Sequence, residues 1–195
     1  GDAQMVADIA AAGINRISLG IQDFDPEVQK AVNRIQSVAQ TAELIDAARA
    51  HGMRSINVDL IYGLPKQQPE NFARTIARVI AIAPDRIALY GYAHLPERFK
   101  PQRRIVSADL PDGAARLAML GHAIVAFDAA GYDYIGMDHF ARPDDALAIA
   151  KREGRLHSLD FAIAAILLLV PVGLVVKQPD LGTAILILSA GLYVI

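Results

Sequence analysis

The fold of this chain is decided by one stretch of sequence, Asn57-Val-Asp-Leu-Ile-Tyr-Gly-Leu-Pro-Lys-Gln67. Its first six residues continue a run of apolar and β-branched side chains that begins at Ser55, and such a run predicts a buried β-strand over 55–62. Gly63-Leu-Pro65 must then form a turn, because glycine and proline interrupt regular structure. The stretch therefore predicts a strand that ends abruptly at a loop.

Three further strand-like segments lie along the chain, at 15–22, 86–90 and 132–136. Amphipathic helical patterns separate them, with apolar residues three or four positions apart. Strands that recur roughly every 30 to 45 residues with helices between them predict βα units and a parallel sheet. The helical faces are Val38, Ala42 and Ile45; Phe72, Ile76, Val79 and Ile80; and Leu117, Leu120, Ile124 and Phe127, with Asp112 as an N-cap and Gly52 and Gly131 as closing residues.

Polar residues follow the predicted strands at their carboxyl ends, where loops line the cleft of a parallel sheet. Asp59 lies inside an apolar strand, so it is either paired within the protein or faces a polar ligand such as ribose hydroxyls. Arg34 is either a surface cation or a clamp for a carboxylate or phosphate. His94 and His139 are better interpreted as a general base or as hydrogen-bonded histidines than as a metal pair. The strand ends are Gln22-Asp23, Tyr92-Ala-His94 and Asp138-His139.

The composition changes abruptly near His157. Only three charged residues, Asp160, Lys177 and Asp180, come after it. Residues 1–157 are therefore close to neutral and offer no basic stripe to nucleic acid. The chain contains no cysteine, which excludes disulfides and cysteine-bound metals from these residues alone. The first residues lack an initiator methionine and a signal peptide, so we expect the chain to begin inside a longer protein.

Four motifs in residues 1–157 resemble the oxygen-independent coproporphyrinogen III dehydrogenases, the HemN-type radical-SAM enzymes. The Tyr-Gly-Leu-Pro element is shared widely among radical-SAM proteins, whereas the last two motifs point to this subfamily. The motifs are segment 14–34, the stretch 57–67, Tyr92-Ala-His-Leu-Pro96 and Gly136-Met-Asp-His-Phe-Ala-Arg-Pro-Asp-Asp145.

This resemblance implies a partial (β/α) barrel that binds S-adenosylmethionine (SAM) and a [4Fe–4S] cluster in the cytoplasm. The implied reaction is the oxidative decarboxylation of two propionates of coproporphyrinogen III in haem biosynthesis. The family's contacts to a second SAM fall on Gln22, Arg34, Asp59 and Ala93. The chain departs from the family in lacking the cysteine loop that holds the cluster, which we expect upstream of Gly1, and the substrate-covering C-terminal domain. We therefore predict no radical-SAM activity from this chain alone.

Residues 158–195 have the composition of a membrane segment. Residues 161–176 carry no charge and would form about 24 Å of helix, which approaches the roughly 30 Å hydrocarbon core once 158–177 is included. A second apolar run, 181–195, follows a short turn. Basic residues before the first span predict a cytoplasmic N-terminal side. The fold prediction is thus an incomplete radical-SAM barrel over 1–157, followed by a transmembrane helical hairpin fragment with its loop outside.

The segment Pro171-Val-Gly-Leu-Val-Val-Lys-Gln-Pro-Asp-Leu-Gly-Thr-Ala184 resembles the RodA/FtsW (SEDS) peptidoglycan glycosyltransferases. In that family the aspartate that matches Asp180 is important for polymerisation, whereas a local interpretation makes Asp180 the N-cap of a second helix. Only a small part of that family's membrane core is present. Three interpretations follow: a piece of a haem-biosynthetic enzyme, a piece of a cell-wall polymerase, or an artificial join near 157–159 without a function of its own.

Overall fold

The computed structural model describes residues 3–153. The chain divides into two compact units, Gly1–Ile149 and Ala150–Ile195, and the second is described only as far as residue 153. No helix within residues 3–153 is long and apolar enough to cross a membrane. The boundary predicted after residue 157, both predicted membrane spans and Asp180 lie outside the described residues and stay predictions.

The described residues alternate helices with strands, as the sequence predicted. Two short 3₁₀ helices, Lys100–Arg104 and Ser107–Asp109, lie in the long connection after the third strand. The elements in chain order are α1 Ala3–Ala11, β1 Arg16–Gln22, α2 Pro26–Ala31, α3 Val38–Ala50, β2 Ser55–Tyr62, α4 Pro69–Ile82, β3 Arg86–Gly91, α5 Gly113–Ala129, β4 Asp133–Gly136, β5 His139–Ala141 and α6 Ala146–Glu153.

The strands form one five-stranded sheet in the order β1-β2-β3-β5-β4. Parallel pairing, as predicted, joins β1 to β2 and β2 to β3. The sheet is mixed and not parallel throughout, because β5, a strand that was not predicted, pairs antiparallel with both β3 and β4. Met137 and Asp138 have φ values of +48° and +65°, and two successive left-handed residues make the tight turn of a hairpin. The strand β4 still runs in the same direction as β3.

The hydrophobic core lies between one face of the sheet and the helices. Alternate residues of β2, Ile56, Val58 and Leu60, are fully buried there, as expected for a strand with one face on the core. The predicted face of α4 is confirmed at its first three positions, since Phe72, Ile76 and Val79 are buried, whereas Ile80 is only partly buried and packs against this core.

The predicted face of α5 is half right. Phe127 is buried and Leu120 packs partly buried against the core, whereas Leu117 is 70% and Ile124 is 42% exposed. Met119 and Ala123, which were not predicted, are buried. Apolar residues occur all around this helix, so periodicity alone cannot choose the buried face. Its ends are as predicted: the Asp112 carboxylate accepts from Ala115 N–H at 2.8 Å, and the glycine after the helix has φ +82°.

A buried ion pair lies on the face of the sheet away from the hydrophobic core, at the amino end of the strands. The Arg86 guanidinium lies 2.7 Å from the buried Asp145 carboxylate, which also accepts from Ser55 Oγ at 2.9 Å and from Leu147 N–H at 2.7 Å. Burial alone would raise the pKa of Asp145, but these hydrogen bonds outweigh it and lower the pKa below its ordinary value. Asp145 therefore joins β2, β3 and the first turn of α6.

Candidate functional site

One row of residues crosses the open face of the sheet. Gly20 pairs in register with Asp59, Asp59 with Ala88, and Ala88 with His139. Register partners point to the same face, and here that is the face away from the core, because Leu60 and Leu89 beside the row are buried on the other side. Asp59 thus lies between two small residues on this face; it is partly exposed, as is Gly20, whereas Ala88 is fully buried.

Gln22 and Arg34 cover the glycine in this row. A Cβ added to Gly20 would lie 2.7 Å from Gln22 Nε2 and 2.8 Å from Arg34 Nη2, so in this arrangement the two side-chain ends occupy the space that glycine leaves open. Arg34 also donates from Nε to the Gly20 carbonyl at 2.9 Å. Its position follows from Asn33, which leaves the helix α2 with a left-handed φ of +53°.

The carboxylate of Asp59 is hydrogen-bonded within the protein. It accepts from Ser18 Oγ at 2.9 Å and from Asn57 Nδ2 at 2.7 Å, and it forms no ion pair with a residue of the described range. Asn57 Oδ1 is buried and has no hydrogen-bond partner among residues 3–153. An orphaned acceptor beside a carboxylate with free lone pairs is suited to a ligand that donates hydrogen bonds.

A cavity of about 620 Å³ lies beyond this row, at the carboxyl end of β1 and β2, and none of the four residues of the row lines it. Gln22, Arg34 and Tyr92 line it, whereas Asp59 and Ala93 do not. Burial raises the pKa of the Tyr92 phenol, which keeps it protonated and able to donate. Ala93 is exposed, and its carbonyl accepts from Gln102 Nε2 at 3.0 Å. The structure thus brings Gln22 and Arg34 together at Gly20, places Asp59 on the neighbouring strand as the register partner of this glycine, and leaves Ala93 on the loop after β3.

The loops at this rim are fastened by the turn after β2. Gly63 has φ +87°, and a Cβ there would lie 2.8 Å from Arg116 Nε. Arg116 in turn donates to the Tyr92 carbonyl at 2.7 Å. The forced turn predicted at Gly63 therefore leaves room for the arginine that holds the loop after β3.

Asp23 follows Gln22 in the sequence but is not part of the open site. It is only 1% exposed and accepts from Thr75 Oγ1 at 2.6 Å, from Asp25 N–H at 2.7 Å and from Gln67 Nε2 at 2.5 Å. Burial raises the pKa of this carboxyl despite these hydrogen bonds. Its role is to join β1 to α4 and to the loop after β2.

The two histidines at the rim are hydrogen-bonded. His139 Nδ1 lies 2.6 Å from the Met137 carbonyl, and since a carbonyl only accepts, Nδ1 is the donor in this contact. His94 contacts the Tyr92 hydroxyl at 3.3 Å and Ser107 Oγ at 3.5 Å. Within the described range no group of three or more His, Cys, Asp or Glu residues could hold a metal ion.

Comparisons with known proteins relate most of this chain to radical-SAM enzymes. The Radical SAM superfamily model matches residues 1–79. The oxygen-independent coproporphyrinogen III oxidase of Pseudomonas aeruginosa is 60% identical over 144 residues, which are 74% of this chain and 31% of the relative. The solved structure of coproporphyrinogen III oxidase (HemN) from Escherichia coli, a radical SAM enzyme, superposes with a TM-score of 0.78 at 50% identity and covers 80% of this chain and 36% of that one.

This chain is homologous to part of a HemN-type radical-SAM oxidase. The oxidase of Escherichia coli K12 supports the same assignment, with 52% identity over 149 residues. The chain spans about a third of the length of the curated relatives it matches. Its mixed sheet and surrounding helices are accordingly a radical-SAM partial α/β fold.

The two cofactors that this family implies differ in how they fit the residues. SAM carries a carboxylate and ribose hydroxyls, which suit the Arg34 guanidinium and the acceptors at Asp59 and Asn57. A [4Fe–4S] cluster is held by cysteine thiolates, and none of the 195 residues is a cysteine. The residues of this chain therefore fit SAM and do not fit the cluster.

Proposed function

We propose that this chain is a segment of an enzyme that decarboxylates coproporphyrinogen III oxidatively by radical-SAM chemistry, and that it contributes the cytoplasmic SAM-binding part of the site. The relatives support the assignment to this enzyme class. The observation that carries the site is the convergence of Gln22 and Arg34 over Gly20, one strand away from Asp59.

Each residue has a distinct role in this proposal. Arg34, already anchored through Nε on a backbone carbonyl, presents its remaining N–H groups to the SAM carboxylate. Asp59 accepts from the ribose hydroxyls, and Gln22 offers its amide to polar groups of the nucleoside or the methionine. Ala93 contributes its backbone, because its side chain carries no polar atom.

The chain by itself has no ligands for the [4Fe–4S] cluster that the reaction requires. A bound cluster would supply the electron that cleaves SAM, and without thiolates these residues cannot hold one. We infer that the 195 residues bind SAM without turning it over.

Calorimetric titration of the chain with SAM tests the proposal. Arg34→Gln removes charge-assisted hydrogen bonds worth about 1.5–3 kcal/mol, so we expect Kd to rise about 10- to 100-fold. Asp59→Asn should weaken binding in the same direction. Arg54→Gln is the matched control, since Arg54 is exposed before β2 at the other end of the sheet. SAM binding that is equally tight in the wild type and in Arg34→Gln would contradict the assignment.

For residues 158–195 we propose a membrane segment of the RodA/FtsW type. The N-terminal side of its first span would lie in the cytoplasm, and Asp180 would lie on the outer face of the membrane. The support is the uncharged run 161–176 and the signature 171–184. After fractionation of cells that express the chain, the full chain should be recovered in the membrane fraction. A truncated version that ends at His157 should be recovered in the soluble fraction. Recovery of both in the soluble fraction would contradict the proposal.

Amplification of source DNA across codons 155–161 distinguishes a natural join between the two segments from an artificial one.

A further inference from the structure

The cavity at the carboxyl end of β1 and β2 is lined by cations without any acidic residue to balance them. Three of its lining residues, Arg34, Lys100 and Arg104, are positively charged, and none is Asp or Glu. None of the three forms an ion pair with another residue of the described range. The chain as a whole has a net charge of −2, so this concentration of positive charge is local.

The segment that carries two of these cations is held in place by their neighbours. Gln102 accepts from Leu95 N–H at 2.5 Å and donates to the Ala93 carbonyl at 3.0 Å. Arg103 donates from Nε to the Pro96 carbonyl at 3.0 Å. The residues between Lys100 and Arg104 thus fix the 3₁₀ helix to the loop after β3. The two outer cations are left to face the cavity on a positioned backbone.

The remainder of the lining is mostly apolar and includes Val32, Ile61, Leu64 and Ile105. Lys100 and Arg104 are four residues apart, which in a 3₁₀ helix corresponds to roughly 8 Å along its axis. Arg34 comes from a different element, the loop after α2. A ligand that satisfies this lining has an apolar body with several anionic groups spaced around it.

We propose that this cavity binds an amphipathic polycarboxylate, and that Lys100 and Arg104 bind its carboxylates. This inference rests on the proposed function, in which the carboxylates are propionates of the porphyrinogen. SAM alone does not account for the lining, because it carries one carboxylate together with a sulfonium and an ammonium cation. Lys100 and Arg104 are therefore substrate-binding residues, whereas Arg34 is shared with the SAM carboxylate.

Fluorescence titration of the 195-residue chain with coproporphyrin III, the stable oxidised form of the substrate skeleton, tests the inference. The variant Lys100→Gln/Arg104→Gln should raise its Kd about tenfold, since each partly exposed charge contributes about threefold. The control Arg16→Gln/Arg54→Gln changes the net charge equally, at exposed residues on the opposite end of β1 and β2, and should leave Kd unchanged. Binding should also weaken as salt rises.

Two other probes define the ligand class. Citrate, a polycarboxylate without an apolar body, and ATP, a polyphosphate, should each displace coproporphyrin III only at far higher concentration. Displacement by ATP at concentrations comparable to coproporphyrin III would overturn the inference in favour of a phosphate site. An unchanged Kd in the Lys100/Arg104 double variant, or an equal loss in the control, would also overturn it.

Calorimetry with SAM on the same double variant separates this inference from the proposed function. SAM should bind as it does to the wild type, because its carboxylate is assigned to Arg34. If SAM binds but the Kd of coproporphyrin III is the same in the wild type and the double variant, only the inference of a polycarboxylate site is refuted. If coproporphyrin III responds as expected and SAM does not bind at all, the proposed function fails while the polycarboxylate site stands.

Discussion

Replacing the buried Asp23 by asparagine tests the structural role assigned to this carboxylate and has a pH signature of its own. Asparagine keeps the size of the side chain and one acceptor oxygen. That oxygen can retain the hydrogen bonds from Thr75 Oγ1 and Asp25 N–H, which both reach Asp23 Oδ1. The new amide nitrogen then faces Gln67 Nε2, which donates to Oδ2 in the wild type.

The cost of this substitution follows from that single mismatch. One buried donor loses its acceptor and meets another donor, which costs about 1–3 kcal/mol. Asp23→Ala removes the acceptor of all three donors and should cost about 3–5 kcal/mol. Against a total stability of about 5–15 kcal/mol for a domain, the asparagine variant should fold and the alanine variant should be severely destabilised.

The pH dependence distinguishes a desolvated carboxyl from an ordinary one. The folded-state pKa of Asp23 lies above the unfolded value of 3.8 because burial disfavours the charged form. Its contribution to stability is therefore fully present below pH 3.8 and is lost as the pH rises through the folded-state pKa. Asparagine does not titrate, so the destabilisation caused by Asp23→Asn should be largest in acid and smaller near neutral pH.

Urea unfolding of the chain, followed by circular dichroism at several pH values from about 4 to 7, measures this difference. The other carboxyl groups are common to both proteins, so subtraction isolates the contribution of Asp23. A destabilisation that grows with rising pH would refute the reasoning, because it would mean that the three donors lower the pKa more than burial raises it. A destabilisation that does not change with pH would mean that the carboxyl is solvated.

Two further substitutions test the parts that hold the site. Asp145→Asn breaks a buried ion pair and should lower the free energy of unfolding by about 3–5 kcal/mol at neutral pH. The control Asp144→Asn, at a side chain that is 88% exposed, should change it by less than about 0.5 kcal/mol. Urea unfolding compares the two variants, and equal effects would contradict the role assigned to Asp145. Gly63→Ala places a Cβ 2.8 Å from Arg116 Nε at φ +87° and should cost at least about 1–2 kcal/mol, whereas Gly121→Ala, with nothing within 4 Å, should be neutral or stabilising. A tolerated Gly63→Ala would show that the turn can move.

Much of the fold could be predicted because its local signals agree with its tertiary structure. The strand 55–62 was predicted with the bounds it has in the structure, since its apolar run ends at a glycine. The hairpin strand His139–Ala141 was not predicted, because three residues carry no periodicity. Two of the four residues predicted for the buried face of α5, Leu117 and Ile124, were wrong for a related reason, since a helix that is apolar all around gives no preferred direction.

The candidate site was predictable only as far as strand ends can be located. The carboxyl ends of β1 and β2 indicated Gln22 and Asp59, and the structure places the Gln22 amide over Gly20, the register partner of Asp59. Ala93 was indicated by resemblance alone, because a methyl side chain carries no chemical signal. Asp23 could not be separated from Gln22 by sequence, since both are polar residues at a strand end and only the packing of α4 shows which is buried. Asn57 became significant only through the register that aligns it with Ser18.

The charged residues at the two ends of the strands form two groups, one that stabilises the fold and one that is suited to a ligand. At the amino end, Arg86 is neutralised by Asp145 and is only 18% exposed in its side chain, so this group contributes to stability. At the carboxyl end, Lys100 and Arg104 face a cavity without a described counter-charge, although Gln102 and Arg103 between them are bonded to the backbone. Like charges held together without an anion raise the free energy of the fold. Their retention on a positioned helix is therefore explained by a ligand that supplies the anions, and the substitutions that lower affinity for coproporphyrin III should leave the urea midpoint equal to or above that of the wild type.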